Sequence, residues 1–146
     1  AAESFAGNDV FGLKIKDKDS ASSETEIPYG DVERQQLSSI VNGAIYPCNL
    51  DFYHPLSFGY TDYFTLRMNS NVYELKQGSV FKLKKDAIPI SGFVGSNVAK
   101  KQTEALIAGV HSIGSGTVIY FLENPLFRGF WENGKLMLVN SIFMVK

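Results

Sequence analysis

A strongly apolar strand near the C-terminal end limits the folds open to this chain. Residues 117–122 read Thr-Val-Ile-Tyr-Phe-Leu, and every one of these side chains is β-branched, aromatic or aliphatic. Gly116 precedes the run and Asn124-Pro125 follows it. Proline ends a strand because it lacks the N–H that a sheet ladder requires. A short apolar run between such breaks predicts a β-strand that is buried on both of its faces.

The strand is followed by an aromatic-rich turn at Leu126–Trp131 and then by residues with helical spacing. Between Lys135 and Val145, one apolar stripe contains Leu136, Val139 and Phe143. The neighbouring stripe is apolar too, which leaves almost no polar face. We therefore expect this helix to lie against a sheet and to be covered on its outer side by another element. With about 11 residues it is too short to cross a bilayer.

The rest of the chain contains more short strands than helices. This pattern predicts an α/β fold in which a mixed β-sheet is flanked by helices. Leu106–Val110 and residues 117–122 are predicted to form a hairpin around Gly114-Ser115-Gly116. That glycine-rich turn lies between strands and not before a helix, so it does not indicate a phosphate site. Pro47, inside another predicted strand, indicates an edge position or a bulge.

Two further segments can be assigned from their polarity. Residues 16–27 are charged and polar without any periodicity, and we expect a flexible surface loop there. Asp31 is a suitable N-cap for a short helix, and the polar segment 97–104 is rich in good helix formers.

The composition is that of an ordinary globular chain and excludes several classes of function. Of the 146 residues, 45% are hydrophobic and 20% are charged, which suits a single domain with one core. The formal net charge of −1 lacks the basic excess that nucleic-acid binding requires. The single cysteine, Cys48, excludes an intrachain disulfide and a site built from several cysteines. No apolar run is long enough to predict a membrane span.

Four stretches of the sequence resemble the C-terminal part of bacterial zinc-carboxypeptidase-like proteins. The longest, at residues 123–145, reads ENPLFRGFWENGKLMLVNSIFMV. The others are FAGNDVFGLK at Phe5–Lys14, VNGAIYPCNLDFYHPLSFGY at Val41–Tyr60 and PISGFVGS at Pro89–Ser96. In the proteins that this chain resembles, a carboxypeptidase A-type catalytic domain is followed by a domain similar to class I glutamine amidotransferases. None of the four stretches is itself a catalytic motif.

The resemblance carries implications for fold, cofactor and location. It implies that residues 1–146 form a single accessory domain, the second half of a glutamine amidotransferase-like (flavodoxin-like) three-layer sandwich. It implies a parent metallocarboxypeptidase that acts in proteolysis and holds zinc in its catalytic domain, so that this domain needs no cofactor of its own. A periplasmic or secreted location is implied as well. Since the sequence starts abruptly at AAESFAG, we expect a fragment whose partner, the catalytic domain, precedes Ala1.

The residues that such enzymes use are not assembled in this sequence. Carboxypeptidase A-type enzymes bind zinc through a His-x-x-Glu pair and a distant histidine, and neither His54 nor His111 begins such a pair. Class I glutamine amidotransferases place their cysteine on a glycine-flanked strand-to-helix elbow, whereas no glycine and no helical pattern follow Cys48. We therefore predict no catalytic or metal-binding residue and an inert Cys48. The alternative is a cysteine-dependent, amidotransferase-like hydrolase that pairs Cys48 with His54 or His111.

Three candidate binding residues lie in the aromatic segment DFYHPLSFGYTDYF at residues 51–64. They are His54, Tyr60 and Tyr63, and the reason for choosing them is that concave ligand sites favour aromatic side chains. The alternative for His54 is a hydrogen-bonded packing residue.

Arg128 is the fourth candidate, because it stands among large apolar residues. Its stem is predicted to be partly buried and its guanidinium to pair with a carboxylate such as Glu123 or Glu132, or with backbone carbonyls. Arg128 then ties the turn to the body of the domain. The alternative role is an anchor for an anion or a peptide carboxylate.

The sequence thus predicts a non-catalytic accessory domain of a zinc carboxypeptidase-related protein, with a structural or substrate-positioning role. Besides the cysteine-dependent hydrolase, a peptide- or glycan-binding module remains open, and it requires several rings of Phe52–Phe64 to be exposed on a concave surface. A chain that lacks half of its parent sheet leaves an edge and an apolar face uncovered. We therefore also predict a homodimer.

Overall fold

Two longer helices and several short ones accompany the strands of this chain. The computed structural model describes residues 2–16 and 28–146. Its α-helices are Ala2–Phe5 (α1), Tyr29–Ser38 (α2), Ser96–Ala99 (α3) and Glu132–Phe143 (α4). Single turns of 3₁₀ helix span Asp9–Phe11, Pro55–Ser57 and Phe127–Gly129. No helix within these two ranges has the length and apolar character needed to cross a membrane.

The two longer helices begin earlier than the sequence predicts. α4 begins at Glu132, whereas the helical spacing in the sequence begins at Lys135. Gly134 lies inside the first turn of the helix. This glycine allows a close approach, since a Cβ added to it would lie 1.9 Å from the carbonyl oxygen of Pro125. α2 begins at Tyr29, which places Asp31 in the first turn and not at the N-cap.

Two other predictions concern polar segments. The helix predicted at 97–104 is limited to α3, because Gln102 is buried and its Nε2 donates to the carbonyl oxygen of Ser70 at 3.4 Å. In the predicted loop 16–27, Lys16 is the last residue of a strand, and residues 17–27 lie outside the described residues.

The strands of the described residues form two sheets. The strands are Leu13–Lys16 (β1), Val41–Leu50 (β2), Phe64–Arg67 (β3), Val72–Leu75 (β4), Ser79–Leu83 (β5), Ser91–Val94 (β6), Leu106–Ile113 (β7) and Gly116–Phe121 (β8). β1 and β4 form a two-stranded sheet. The other strands form a six-stranded sheet in the order β3-β2-β5-β7-β8, with β6 also paired to β2.

The predicted combination of helices and strands is confirmed, but the predicted mixed sheet is not. Every strand pair in the described residues is antiparallel. For the β7–β8 pair the connection explains this, because only residues 114–115 join the two strands. Parallel neighbours need a crossover of about a dozen residues or more. The predicted β7–β8 hairpin is confirmed, and Gly114 provides the positive φ of its turn.

Strand β2 is central in the sheet, although Pro47 predicts an edge or a bulge. On one side of β2 lies β3; on the other, residues 41–45 pair with β6 and residues 48–50 with β5. The N–H of Cys48 donates to Tyr63 beside β3 at 2.9 Å, so the nitrogen of Pro47 faces the opposite side. On that side, the pairing of β2 with β6 stops at residue 45 and its pairing with β5 starts at residue 48. Pro47 fits because this gap needs no ladder hydrogen bond.

Two apolar clusters hold the sheets together. The first contains fifteen buried residues, among them Tyr46, Phe81, Leu83, Ile107 and Met137. The second lies between β1, β4, β7 and β8, and its buried members are Leu13, Tyr73, Leu75, Leu106 and Tyr120. Strand β8 contributes to both, since Ile119 and Phe121 pack against the first cluster and Val118 and Tyr120 belong to the second. Side chains of β8 thus contact both clusters, but the predicted burial on both faces is wrong: Tyr120 alone is buried in this strand, because β8 is the last strand of the sheet.

A buried ion pair fixes β3 to the segment that joins β8 to α4. Arg67 is completely buried, and its Nη1 lies 2.8 Å from Oε1 of Glu123. Its Nη2 donates to the carbonyl oxygen of Asn71 at 2.9 Å, and the N–H of Met68 donates to Oε2 of Glu123 at 3.2 Å. Burial raises the pKa of Glu123, and the charge of Arg67 opposes that rise. Glu123 was expected to pair with Arg128, and Arg67 takes that place.

We expect Glu123→Gln to destabilise the domain, because it leaves the buried guanidinium of Arg67 without a counter-charge. The free energy of unfolding, measured by urea denaturation, should fall by roughly 3–5 kcal/mol. Glu74→Gln is the matched control, since Glu74 is exposed on β4, and its effect should stay within about 0.5 kcal/mol. Similar losses for both variants would contradict the role of this ion pair.

Candidate interaction surface

Helix α4 turns its apolar side outward. Its buried residues are Gly134, Met137 and Asn140. Its exposed residues include large apolar side chains, with Ile142 at 64% and Phe143 at 73% of their full accessibility. The outer face of α4 is defined here as the five exposed apolar residues of this region: Leu136, Val139, Ile142, Phe143 and Met144. Nothing within residues 2–16 and 28–146 covers this face, so the predicted outer cover is missing from the described part of the chain.

The apolar residues of α4 face outward because the amide side chains of the helix bind the aromatic loop beneath it. Nδ2 of Asn140 donates to the carbonyl oxygens of Leu56 at 3.1 Å and Phe58 at 2.7 Å. Oδ1 of Asn133 accepts from the N–H of Phe64 at 2.8 Å. Loop backbone groups that are removed from water require such partners. The two amides of α4 therefore face inward with Met137, and five apolar side chains are left outside beside the exposed charges of Glu132 and Lys135.

Tyr60 completes this attachment and is a structural residue. Its hydroxyl donates to the carbonyl oxygen of Asn133 at 2.7 Å and accepts from the N–H of Met137 at 2.9 Å. These two backbone groups are four residues apart, so the hydroxyl stands where a helical hydrogen bond would otherwise form. Burial raises the pKa of Tyr60 to about 12, which keeps the hydroxyl protonated at neutral pH. The predicted binding residue thus holds α4 on the loop.

Tyr63 lies in the core. It is 2% exposed, and its ring stands edge to face against Tyr60 and Phe81, with centroid distances of 5.5 and 5.0 Å. Burial raises the pKa of its hydroxyl. The chain turns inward at this ring to begin β3, so the structure places Tyr63 away from the surface, and its role in binding stays a prediction.

His54 is a hydrogen-bonded packing residue, which the sequence analysis gave as the alternative to a ligand-binding role. It precedes the 3₁₀ turn Pro55–Ser57, and its Nδ1 accepts from the N–H of Leu56 at 3.1 Å. Burial lowers the pKa of His54, while Asp51 opposes that change. An imidazole nitrogen that accepts a hydrogen bond is unprotonated, so the lowered pKa and the geometry agree. The imidazole is therefore a neutral cap of the loop.

The aromatic segment divides into a buried part and an exposed part. Phe52, Tyr53 and Phe58 are exposed, and Tyr53 reaches 99% of its full accessibility. Beside this loop lies an open groove of about 530 Å³, lined by residues 59–62, Glu132, Asn133 and Leu136. The exposed rings and the groove adjoin the attachment site of α4.

Arg128 does not form the contact that the sequence predicts. It is exposed in the turn Phe127–Gly129 and has a positive φ of 51°, which is unusual for a residue other than glycine. Its guanidinium lies 5.1 Å from the ring centroid of Phe127, a cation–π distance. The two carboxylates expected to pair with it are engaged elsewhere, since Glu123 binds Arg67 and Glu132 binds Lys135. Arg128 therefore stays at the surface and does not tie the turn to the core.

The candidate reactive groups are held by local contacts. The buried thiol of Cys48 donates to the carbonyl oxygen of Tyr46 at 3.9 Å, and burial raises its pKa to about 12. The ring of His111, on β7, lies against Gly12, where an added Cβ would be 3.0 Å from Cε1. Neither imidazole hydrogen-bonds to this thiol in the described residues. Across the same two ranges, no group of three or more His, Cys, Asp or Glu side chains is placed to hold a metal ion.

Comparisons of the chain with protein-family models, with curated proteins and with solved structures give no match. The outer face of α4 is the surface feature that sequence reasoning missed. Its sequence signal is the pair Asn133 and Asn140, which lie seven residues apart and so occupy the same side of a helix. This pair does not by itself predict a buried side, because amides are more often exposed than leucine or phenylalanine.

We expect Tyr60→Phe to loosen α4, because the carbonyl of Asn133 and the N–H of Met137 lose their shared partner. The free energy of unfolding should fall by roughly 1–3 kcal/mol, the range for buried polar groups left unpaired. Tyr53→Phe is the matched control and should leave stability unchanged, since Tyr53 is almost fully exposed. Chemical denaturation followed by tryptophan fluorescence measures both variants. Equal stabilities would show that the hydroxyl does not hold the helix.

We expect the thiol of Cys48 to resist alkylation in the folded protein. With a pKa of about 12, on the order of one thiol in ten thousand is ionised at pH 8, against about a quarter at the usual pKa near 8.5. Because the thiolate is the reacting species, modification by iodoacetamide should be at least a hundredfold slower than in urea-unfolded protein. Mass spectrometry at timed intervals measures both rates. A fast reaction in the native state would reveal an activated cysteine and would support the hydrolase alternative.

Proposed function

We propose that this chain is a non-catalytic C-terminal accessory domain of a zinc carboxypeptidase-related protein. Its role is structural or substrate-positioning, and proteolysis belongs to the catalytic domain of the parent. The observation that carries the proposal is the outer face of α4. Large apolar side chains exposed together on one helix indicate a surface that another protein surface covers. The sequence resemblance supplies the identity of the parent.

The use of the polar residues supports this role. Hydrogen bonds from the side chains of Tyr60, Asn133 and Asn140 hold α4 on the loop, and His54 caps the loop below it. Such contacts make the outer face rigid, and a rigid face loses less entropy when it is covered. The proposal places zinc in the catalytic domain, because here Nδ1 of His54 already has a backbone partner and His111 lies on a different element.

The flavodoxin-like three-layer sandwich is part of the same proposal. Strand β8 ends the six-stranded sheet and has packed side chains on both faces. Further strands of a parent sheet would therefore pair with the free edge of β8, where side chains already pack on both faces of the sheet. The antiparallel strands of this chain would then form one end of the larger sheet.

A peptide- or glycan-binding module is the second candidate, and exposed rings favour it. Phe52 and Tyr53 are exposed on the same loop whose residues 59–62 line the groove, and concave ligand sites favour aromatic rings. The cysteine-dependent hydrolase is disfavoured by the buried, protonated thiol of Cys48.

We expect the accessory role to appear in a comparison of the parent protein with and without residues 1–146. The zinc domain alone should still release C-terminal residues from peptides, with reduced thermal stability or a raised KM, whereas residues 1–146 alone should release none. Cys48→Ser in the intact protein is the control and should leave kcat unchanged, because a buried thiol serves packing only. Loss of kcat on this substitution, or hydrolysis of glutamine by residues 1–146, would overturn the proposal.

A further inference from the structure

The outer face of α4 has the size that a symmetric pair of chains requires. From their exposed fractions, its five apolar side chains present on the order of 500 Å² in each copy, so that a pair would bury about 1,000 Å² from these residues alone. That is the total area at which specific interfaces begin. Val139 lies near the centre of the face along the helix, with Leu136 on one side and Phe143 on the other.

The charges around this face are complementary to a second copy of the same face. Glu132 and Lys146 each lie seven residues from Val139, in opposite directions along the chain. If two copies of α4 pack antiparallel around a two-fold axis at Val139, Glu132 of each copy, which pairs with Lys135 of its own chain, comes next to Lys146 of the other copy, three residues beyond the end of that helix. The same arrangement places opposite helix ends side by side, so that their dipoles attract. Two-fold interfaces are self-complementary in this way, because each contact occurs twice.

We infer that this domain dimerises through the outer face of α4, with a second copy of this chain as the partner. The inference rests on the proposed function, because it names the partner of the surface that carries that proposal. The structural task of the accessory domain is then to bring two catalytic domains of the parent together.

The first test is the mass of purified residues 1–146, measured by light scattering and sedimentation velocity over a range of concentrations. The expected result is a mass of two chains. Val139→Glu should raise the dimer dissociation constant at least a hundredfold, because it places two carboxylates at the apolar axis. Ile88→Glu is the matched control: Ile88 is 79% exposed and lies outside α4, so its substitution should leave the dimer intact. Circular dichroism should show both variants folded.

The second test uses charge reversal and does not depend on the stability of any single variant. Glu132→Lys and Lys146→Glu should each weaken the homodimer about tenfold, because like charges then meet across the axis. An equimolar mixture of the two variants should form heterodimers, in which both contacts are again between opposite charges. Sedimentation of the mixture, with one variant carrying a fluorescent label, measures this directly.

Three results would overturn the inference. These are a monomer at every concentration, a dimer that Ile88→Glu breaks and Val139→Glu does not, and a mixture of the charge variants that forms no heterodimer. A monomer that binds the zinc domain through the outer face of α4 would overturn the inference while leaving the accessory role intact. A dimer whose presence changes nothing in the peptidase activity or stability of the parent would instead count against the proposed function.

Discussion

The position of α4 depends on the buried ion pair between Arg67 and Glu123. Arg67 comes from the end of β3, and Glu123 begins the segment that leads from β8 to the helix. A guanidinium inside a protein is tolerated only when carboxylate and carbonyl oxygens receive its N–H groups, so this segment cannot leave β3 without a large penalty. Gly134 then allows the first turn of α4 to approach Pro125 closely. The apolar surface is thus presented by a helix whose N-terminal position is constrained by contacts outside the helix.

Much of the strand pattern follows from local sequence. The run in β8 is apolar or aromatic from Val118 to Leu122, and its side chains alternate between the two apolar clusters on either face. The β7–β8 hairpin follows from Gly114, which supplies the positive φ of a tight turn. The placement of Cys48 within a strand was predictable as well, since no glycine-bounded elbow follows it. These features depend on neighbours within a few residues.

The orientation of α4 could not be predicted, because its sequence has no strong preference. Apolar residues surround the helix almost completely, and a pattern without a polar stripe does not indicate which side faces the core. The decision comes from residues far away in sequence: Phe58 and Phe64 present backbone groups that only Asn140 and Asn133 can reach. The sheet class was missed for a similar reason, since a buried strand has the same apolar appearance whether its neighbours are parallel or antiparallel.

The two ends of the six-stranded sheet differ. At the β3 end, the outward N–H groups of Phe64 and Met68 are occupied by the side chains of Asn133 and Glu123. At the other end, β8 runs in regular register with β7 and carries no proline or charged residue that would block a new strand. New strands are therefore blocked at the β3 end, whereas the backbone of β8 is able to pair with a further strand. Because strands cannot be added at the β3 end, pairing through sheet ends is limited to β8 and cannot by itself build a fibre.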